Sequence, residues 1–508
     1  DTDIISTGAG NDTIDASGGN DIINAGKGDD IIGNINHNFG DDTYIYNQGD
    51  GKDTIREFIG DSYYNYSVGN DTILFKEGIA RSDIYFVTQN QNDLIIRFRN
   101  NPDDQIIIKN QFLSEGYRIE NLHFANGDDV MDLTDSSQIT FEYSGNAGDD
   151  YISNQFGTNI INTNEGNDTI STGAGNDIIN SGSGDDTIEA GSGNNTINAG
   201  TGNDTINSNS GSDTYLYSKG DGSDVIHDYY GTDTIVFDDS INQDDIYFVR
   251  GSATGTGSQV NDLLIKFKNN PDDQIAIANY FNGSSSSYDT GQYVETLNFS
   301  NGNKIDLSSP ANLQYQMTGT AGDDNLTYNN YTEYTDIINA GAGNDVIDAA
   351  GGNDIINAGK GDDIIGNINQ NFGDDTYIYN KGDGKDIISE FIGVYSGSVG
   401  NDTIKFGADI ARSDIYLSRI DGDLIINFRN SPDDLITIKN QFSYLGNRIE
   451  NIHFDNGDTA IDLTNPTTLT FEYNGTDDND TFSSNNYTEY TDIISTGAGN
   501  DTIDASGG

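Results

Sequence analysis

Acidic residues recur every nine positions along much of this chain, and that spacing limits the fold more than any other feature. In "STGAGNDTIDASGGNDIINAGKGDDII", Ser6 to Ile32, each of Asp12, Asp21 and Asp30 follows a glycine by two residues and precedes an isoleucine by two. Nine matches neither the 3.6-residue period of a helix nor the two-residue period of a strand. In the unit "TGAGNDTID", Gly8 and Gly10 supply the backbone freedom of a tight turn. The "DTID" piece is short and extended, with Ile14 on one face and Thr13 and Asp15 on the other. One unit cannot bury its isoleucine. Stacked units can, through a ladder of Ile14, Ile23 and Ile32, which is the logic of a solenoid.

If a turn and a short strand occupy nine residues, two units close one flattened coil of 18, and residues 18 apart stack at roughly the 4.8 Å strand spacing. Asp3 then lies near Asp21 and Asp12 near Asp30, in columns of carboxylates. Like charges that close oppose folding. The chain has 83 acidic against 23 basic residues and a formal charge of −60, so it cannot neutralise the columns itself. A hard divalent cation held by carboxylates and turn carbonyls can. Calcium accepts irregular shells of about six to eight oxygens, whereas magnesium demands stricter geometry and keeps its water. The columns predict a calcium ladder.

The nonapeptides alternate with a different kind of sequence. "DTYIYNQGDGKDTI" begins at Asp42, "DTYLYSKGDGSDVI" at Asp213 and "DTYIYNKGDGKDII" at Asp375, so the chain holds three large copies and the start of a fourth. The second half of each copy carries β-branched and aromatic runs such as "DIYFV", "DLIIRF" and "QIIIK", separated by turns such as those around Pro102, Pro271 and Pro432. No helical periodicity is present. The fold class expected is all-β, with parallel β-roll segments alternating with β-rich modules in an elongated tandem array. Boundaries are expected at 1–57 (roll A), 58–142 (module A), 143–228 (roll B), 229–316 (module B), 317–390 (roll C), 391–473 (module C) and 474–508 (a fourth roll). The Gly/Ser-rich stretches at 251–260 and 282–291 read as flexible loops. Thr491 to Gly508 repeats Thr2 to Gly19 residue for residue, which suggests a window cut from a longer array.

The units resemble the RTX nonapeptide, GGxGxDxUx with U a large hydrophobic residue; "STGAGNDII", "NSGSGDDTI" and "NAGTGNDTI" carry its second glycine, its aspartate and its hydrophobic position. The second halves resemble the haemolysin-type calcium-binding related module. The resemblance implies a parallel β-roll whose turns bind calcium, and export unfolded through a type I secretion system. On the column argument and the motif together, the expected ligands in copy one are Asp3, Asp12, Asp21, Asp30, Asp42 and Asp53. In copy two they are Asp150, Asp168, Asp177, Asp186, Asp204, Asp213 and Asp224. In copy three they are Asp324, Asp336, Asp345, Asp354, Asp363, Asp375 and Asp386, followed by Asp480, Asp492 and Asp501. In copy two one edge reads Asp150, Asp168, Asp186, Asp204 and the other Asn159, Asp177, Asn195, Asp213, so the first is expected to fill first.

The acidity argues against nucleic acid and anionic membrane surfaces as partners. The absence of cysteine excludes disulfides and thiolate sites, and no apolar run approaches the roughly 18 residues of a membrane span. No H-E-x-x-H, G-x-S-x-G or Walker A string occurs, so no enzymatic activity is expected of this segment. His123 and His453 sit at equivalent strand positions and read as structural. The "NNYTEYTD" strings at Asn329 and Asn485 read as packing between a module and the next roll, with exposed aromatic contacts to another chain or a glycan as the alternative. Three functions remain open. One is a calcium-rigidified stretch of a very long secreted protein, such as a giant RTX adhesin's stalk, a surface filament or a surface layer, with possible self-association. The second is the calcium-binding region of an RTX toxin or exoenzyme whose active domain lies outside this window. The third is a ligand-binding surface on the second halves.

Overall fold

The computed structural model describes residues 2–33, 40–57, 69–252, 261–281, 294–327, 334–366, 373–390, 400–443, 448–483 and 490–505. Most of the two Gly/Ser-rich stretches, together with His37 and Tyr331, lies outside them. Among the described residues the structure is β-strand with short 3-10 turns and no α-helix. Among the described residues no helix is long and apolar enough to cross a membrane.

The chain divides into two units, residues 1–246 with 251–306, and residues 247–250 with 307–508. In the first, the 18-residue coil is explicit. Ile4–Ala9 pairs in parallel with Ile22–Lys27 so that Ile4 meets Ile22 and Ile5 meets Ile23. In the second roll Ile160 meets Ile178 and Thr169 meets Thr187. The isoleucine ladder is split between two facing sheets: Ile14 stacks on Ile32 in one, and Ile23 lies on Ile5 in the other. Ile14, Ile23 and Ile32 are all buried, while the preceding outward residue, such as Ile22, is exposed. Alternation within each short strand therefore builds a core one side chain thick from each sheet.

The modules extend these sheets and change their pattern. In copy one, Thr43–Tyr46, Thr72–Phe75 and Asn121–Phe124 continue one roll sheet in parallel, and the antiparallel strand Met131–Asp132 closes it. The other sheet passes on: Lys52–Ile55 pairs in parallel with Gln105–Ile108, and antiparallel pairings then lead through Asp93–Phe98 to Ile84–Gln89. Thr140–Ser144 joins that last strand at the Phe141–Phe86 pair and carries the sheet into the second roll at Thr140–Thr158. One sheet ends in the module and the other runs through it. The second unit repeats the plan. Ile461–Asp462 closes the sheet of Thr376–Tyr379, Thr403–Phe406 and Asn451–Phe454. Lys385–Ser389, Leu435–Ile438, Asp423–Phe428 and Ile415–Ile420 lead to Thr470–Asn474 and then Thr491–Ser495.

The core widens at each module because rings replace isoleucines. Tyr46 stacks on Phe98 at 5.2 Å and Phe75 on Phe124 at 5.2 Å. Copy two repeats this with Tyr217–Phe267 and Phe237–Phe299, and copy three with Tyr379–Phe428 and Phe406–Phe454. The second tyrosine of the "NNYTEYTD" string also packs inward. Tyr334 lies 5.6 Å from Tyr315, and its counterpart Tyr490 lies 5.1 Å from Phe471.

Candidate metal centre

Every nonapeptide turn delivers its aspartate to the inner edge of the roll, where the extended piece begins. Along a column, a residue donates its backbone N–H to the side-chain oxygen of the residue one coil further on. Asp3 donates to Asp21 Oδ1 and Asp12 to Asp30 Oδ1, both at 2.7 Å. The columns continue from Asp21 to Asp42 and from Asp30 to Asp53. In the second roll one edge runs Asp150, Asp168, Asp186, Asp204, Asp224, with N–H to Oδ1 distances of 2.7–3.0 Å. The other runs Asn159, Asp177, Asn195, Asp213. The second unit holds Asp324, Asp345, Asp363, Asp386 on one edge and Asp336, Asp354, Asp375 on the other. Asp480 donates to Asp501. Asp492 lies half-buried near Arg419, which opposes the upward shift that burial gives its carboxyl.

These columns are deeply buried: Asp21, Asp30, Asp168, Asp186, Asp204, Asp345 and Asp363 are each at most 1 % exposed. One oxygen of each accepts the N–H of the preceding coil. The second, Oδ2, of Asp12, Asp21, Asp30, Asp168, Asp204, Asp345, Asp354 and Asp363 has no hydrogen-bond partner among the described residues. A buried carboxylate oxygen without a donor is costly. Rows of such oxygens, at 18-residue intervals beside turns rich in carbonyls, suit a hard oxygen-seeking divalent cation such as calcium.

Asp336 departs from the pattern. Its Oδ2 holds the guanidinium of Arg250 at 2.6 Å, with both side chains at most 4 % exposed, so a protein cation already stands at the first position of that column. Copy one has Thr88 where copy two has Arg250, and the column there starts with the neutral Asn159.

A second ladder runs outside the first. The residue before each column aspartate accepts from the next coil: Asp29 N–H donates to Asn11 Oδ1 at 3.0 Å, and Asn203 N–H to Asp185 Oδ1 at 2.8 Å. Asp29, Asp149 and Asp185, each followed by a column aspartate, are exposed and accept N–H groups from the next coil, so they also tie coils together.

Sequence reasoning missed several acids. The columns run on into the modules, from Asp42 to Asp71 to Glu120, from Asp213 to Asp233 to Glu295, and from Asp375 to Asp402 to Glu450. The signal was an isolated "DTI" before the first module strand, at Asp71, Asp233 and Asp402, off the nine-residue register. The second acid of each "PDD" turn reaches back to a glycine N–H of the "GDG" turn: Asp104 to Gly49, Asp273 to Gly220 and Asp434 to Gly382.

Burial pushes Asp53 up to about 7, and Asp224 and Asp386 up to about 8; hydrogen bonds from the neighbouring coil oppose the shift and adjacent carboxylates add to it. The folded form thus binds more protons than the unfolded one from about pH 4 to about pH 8, and its calcium-free stability falls as pH rises through that window. The expected result is a calcium-free chain with more β signal in circular dichroism at the acid end than at the alkaline end. A flat profile would contradict the burial of these carboxylates without a counter-ion.

Residues 1–32, 154–188, 180–215, 331–365 and 487–508 match the family model described as the RTX calcium-binding nonapeptide repeat. Residues 93–128, 262–309 and 423–461 match the haemolysin-type calcium binding protein related domain. The two kinds of match alternate as the two kinds of sequence do. No curated protein matches the chain. Among solved structures, the crystal structure of extracellular lipase LipA from Serratia marcescens is similar at 18% identity and a TM-score of 0.19, over 53% of this chain and 40% of that chain; a likeness that low carries no argument.

Proposed function

The chain is an array of RTX calcium-binding nonapeptide repeats and haemolysin-type calcium binding protein related domains, and from that premise we propose that it is a calcium-assembled stalk of a long secreted protein. The observation that carries this reading is the continuity of the sheets within each unit: the first and third modules each take over a roll's strands and hand one sheet to the roll that follows. A chain with flexible joints would need no such register. The column aspartates, from Asp3 to Asp501 with Asp336 set aside, are the proposed ligands.

The chemistry fits export. Where calcium is scarce, the stacked carboxylates repel and the chain stays open. Extracellular calcium modules typically bind at about 10⁻⁴ to 10⁻³ M, so folding follows release. The chain then serves at the cell surface, as an adhesin stalk or the repeating stretch of a filament or layer. The test is small-angle scattering of the chain with calcium, together with imaging of the native secreted material. An elongated particle and filaments, layers or projecting stalks are expected. A compact globule in solution, or a native protein released as a free enzyme or pore-former, would favour the toxin or exoenzyme reading instead.

A further inference from the structure

Four residues after most column aspartates the rolls carry a small side chain, as at Ala16, Ala25, Thr172, Ser181 and Ala190. These face inward beside the next turn, and the hydroxyls bond to a carbonyl one coil on: Thr172 Oγ1 to Ala190 O at 2.7 Å and Ser181 Oγ to Ala199 O at 2.8 Å. In the last coil before each module the same position is an acid: Glu57, Asp228 and Glu390. Each lies against two successive column aspartates. Asp42, Glu57 and Asp71 bring one carboxylate oxygen apiece within 4.8 Å of one another, as do Asp213, Asp228 and Asp233, and Asp375, Glu390 and Asp402. All nine side chains are at most 5 % exposed.

In copy two the hydrogen bonds can be followed atom by atom. Asp213 accepts Asn195 N–H on Oδ1 and the Ser208 hydroxyl on Oδ2. Asp228 accepts the Tyr215 hydroxyl on Oδ2 at 2.7 Å, and Asp233 accepts Asp213 N–H on Oδ1 at 2.6 Å. Asp228 Oδ1 and Asp233 Oδ2 are buried with no donor among the described residues. No ion pair among the described residues reaches any of the three. The constellation recurs in the other copies, where Tyr44 donates to Glu57 and Tyr377 to Glu390. Glutamate and aspartate alternate at this position, so the carboxylate is kept while the chain length changes. A purely steric filler would not need an acid.

We propose that each of these three clusters closes on one hard divalent cation, calcium in an extracellular setting, and that the acid four residues past the last column aspartate is the ligand that distinguishes this site from the turn sites. The proposal rests on the reading that calcium assembles the rolls. Three carboxylates converge where a turn position offers column aspartates alone, and affinity in oxygen sites follows carboxylate number. These sites therefore fill before the rolls do, and each locks the exit of a roll onto its module.

The test compares the chain with its E57Q/D228N/E390Q variant, by calcium bound in equilibrium dialysis and by terbium luminescence. The protein has no tryptophan, so sensitised terbium emission comes from tyrosine, and Tyr44, Tyr215 and Tyr377 each bond to a proposed ligand. The parent chain should bind three ions in a first phase, at least about tenfold tighter than the rest. The variant should lose that phase and three ions in total, while keeping its β signal at saturating calcium. An unchanged first phase and total would overturn the proposal. If the variant does not fold, Y44F/Y215F/Y377F decides, because it keeps all nine carboxylates: loss of first-phase emission supports the site and unchanged emission overturns it. A parent chain that fills its rolls without a three-ion phase defeats this proposal alone; one that binds no calcium defeats the reading beneath it as well.

Discussion

Stripped of calcium near neutral pH, the chain is expected to lose most of its parallel β structure and to expand severalfold in volume. With dissociation constants of about 10⁻⁴ to 10⁻³ M and millimolar calcium outside the cell, each ion contributes about 1 kcal/mol by mass action. About twenty such ions exceed the roughly 5–15 kcal/mol by which folded domains are usually stable. The rolls therefore have no margin without them, and the formal charge of −60 pulls the same way. Some antiparallel signal should persist, because strands such as Asp93–Phe98 are buried on both faces and keep local partners. Magnesium at equal concentration should not restore the rest, since it resists irregular oxygen shells. Circular dichroism and hydrodynamic radius, with chelator and after adding back each ion, measure this. Equal values with and without calcium would end the ladder model.

The second large effect is expected from a single methyl group. Gly200 has a φ of +89°, and a Cβ there would stand 1.9 Å from the carbonyl oxygen of Gly182 in the neighbouring coil. That oxygen is backbone and cannot swing away, so Gly200→Ala must push the neighbouring coils apart at the Gly182–Gly200 pairing. Gly49 is the control: its φ is +86° and nothing lies within 4 Å of its Cβ position. Gly49→Ala should cost only the backbone preference, about 1–2 kcal/mol. Gly200→Ala should cost about 3 kcal/mol or more, which would raise the calcium needed for half-folding well beyond the control. Calcium titrations of the two variants followed by circular dichroism give the comparison, and equal midpoints would mean that the coils are not in this close register.

The rolls were legible because their period is local. An offset of 18 fixes which aspartates share a column and which isoleucines face inward, and nothing distant intervenes. Asp3 over Asp21 and Asp150 over Asp168 follow from counting alone. The exits were not legible, because insertions of unequal length destroy the count. Asp71 donates to Glu120 across 49 residues, and Asp233 to Glu295 across 62. Glu57, Asp228 and Glu390 escaped because they stand where the repeat elsewhere tolerates any small residue. Arg250 escaped for another reason: its partner Asp336 lies 86 residues away, and only the register of the strand at Gln314–Thr318 brings the two together. The hairpin between Ile84–Gln89 and Asp93–Phe98 was also hidden, since its left-handed turn residues are Asn90 and Gln91 rather than the glycine that usually announces such a turn.

The strand that opens each roll is the same kind of joint wherever it occurs. Thr140–Ser144 meets Phe86 on one side and Thr158 on the other, and Thr470–Asn474 meets Leu417 and Thr491 in the same way. A gene encoding such a chain can therefore change its length by whole copies through recombination between like sequences. Excising Asp42 to Ser212 would put Asp213, Tyr215 and Asp228 where Asp42, Tyr44 and Glu57 had been, and every remaining strand would meet a neighbour of the type it already has. Loss of half a copy would leave a closed sheet edge against an open one. Inheritance can thus lengthen or shorten this protein in steps of one copy, with each copy carrying its own joints.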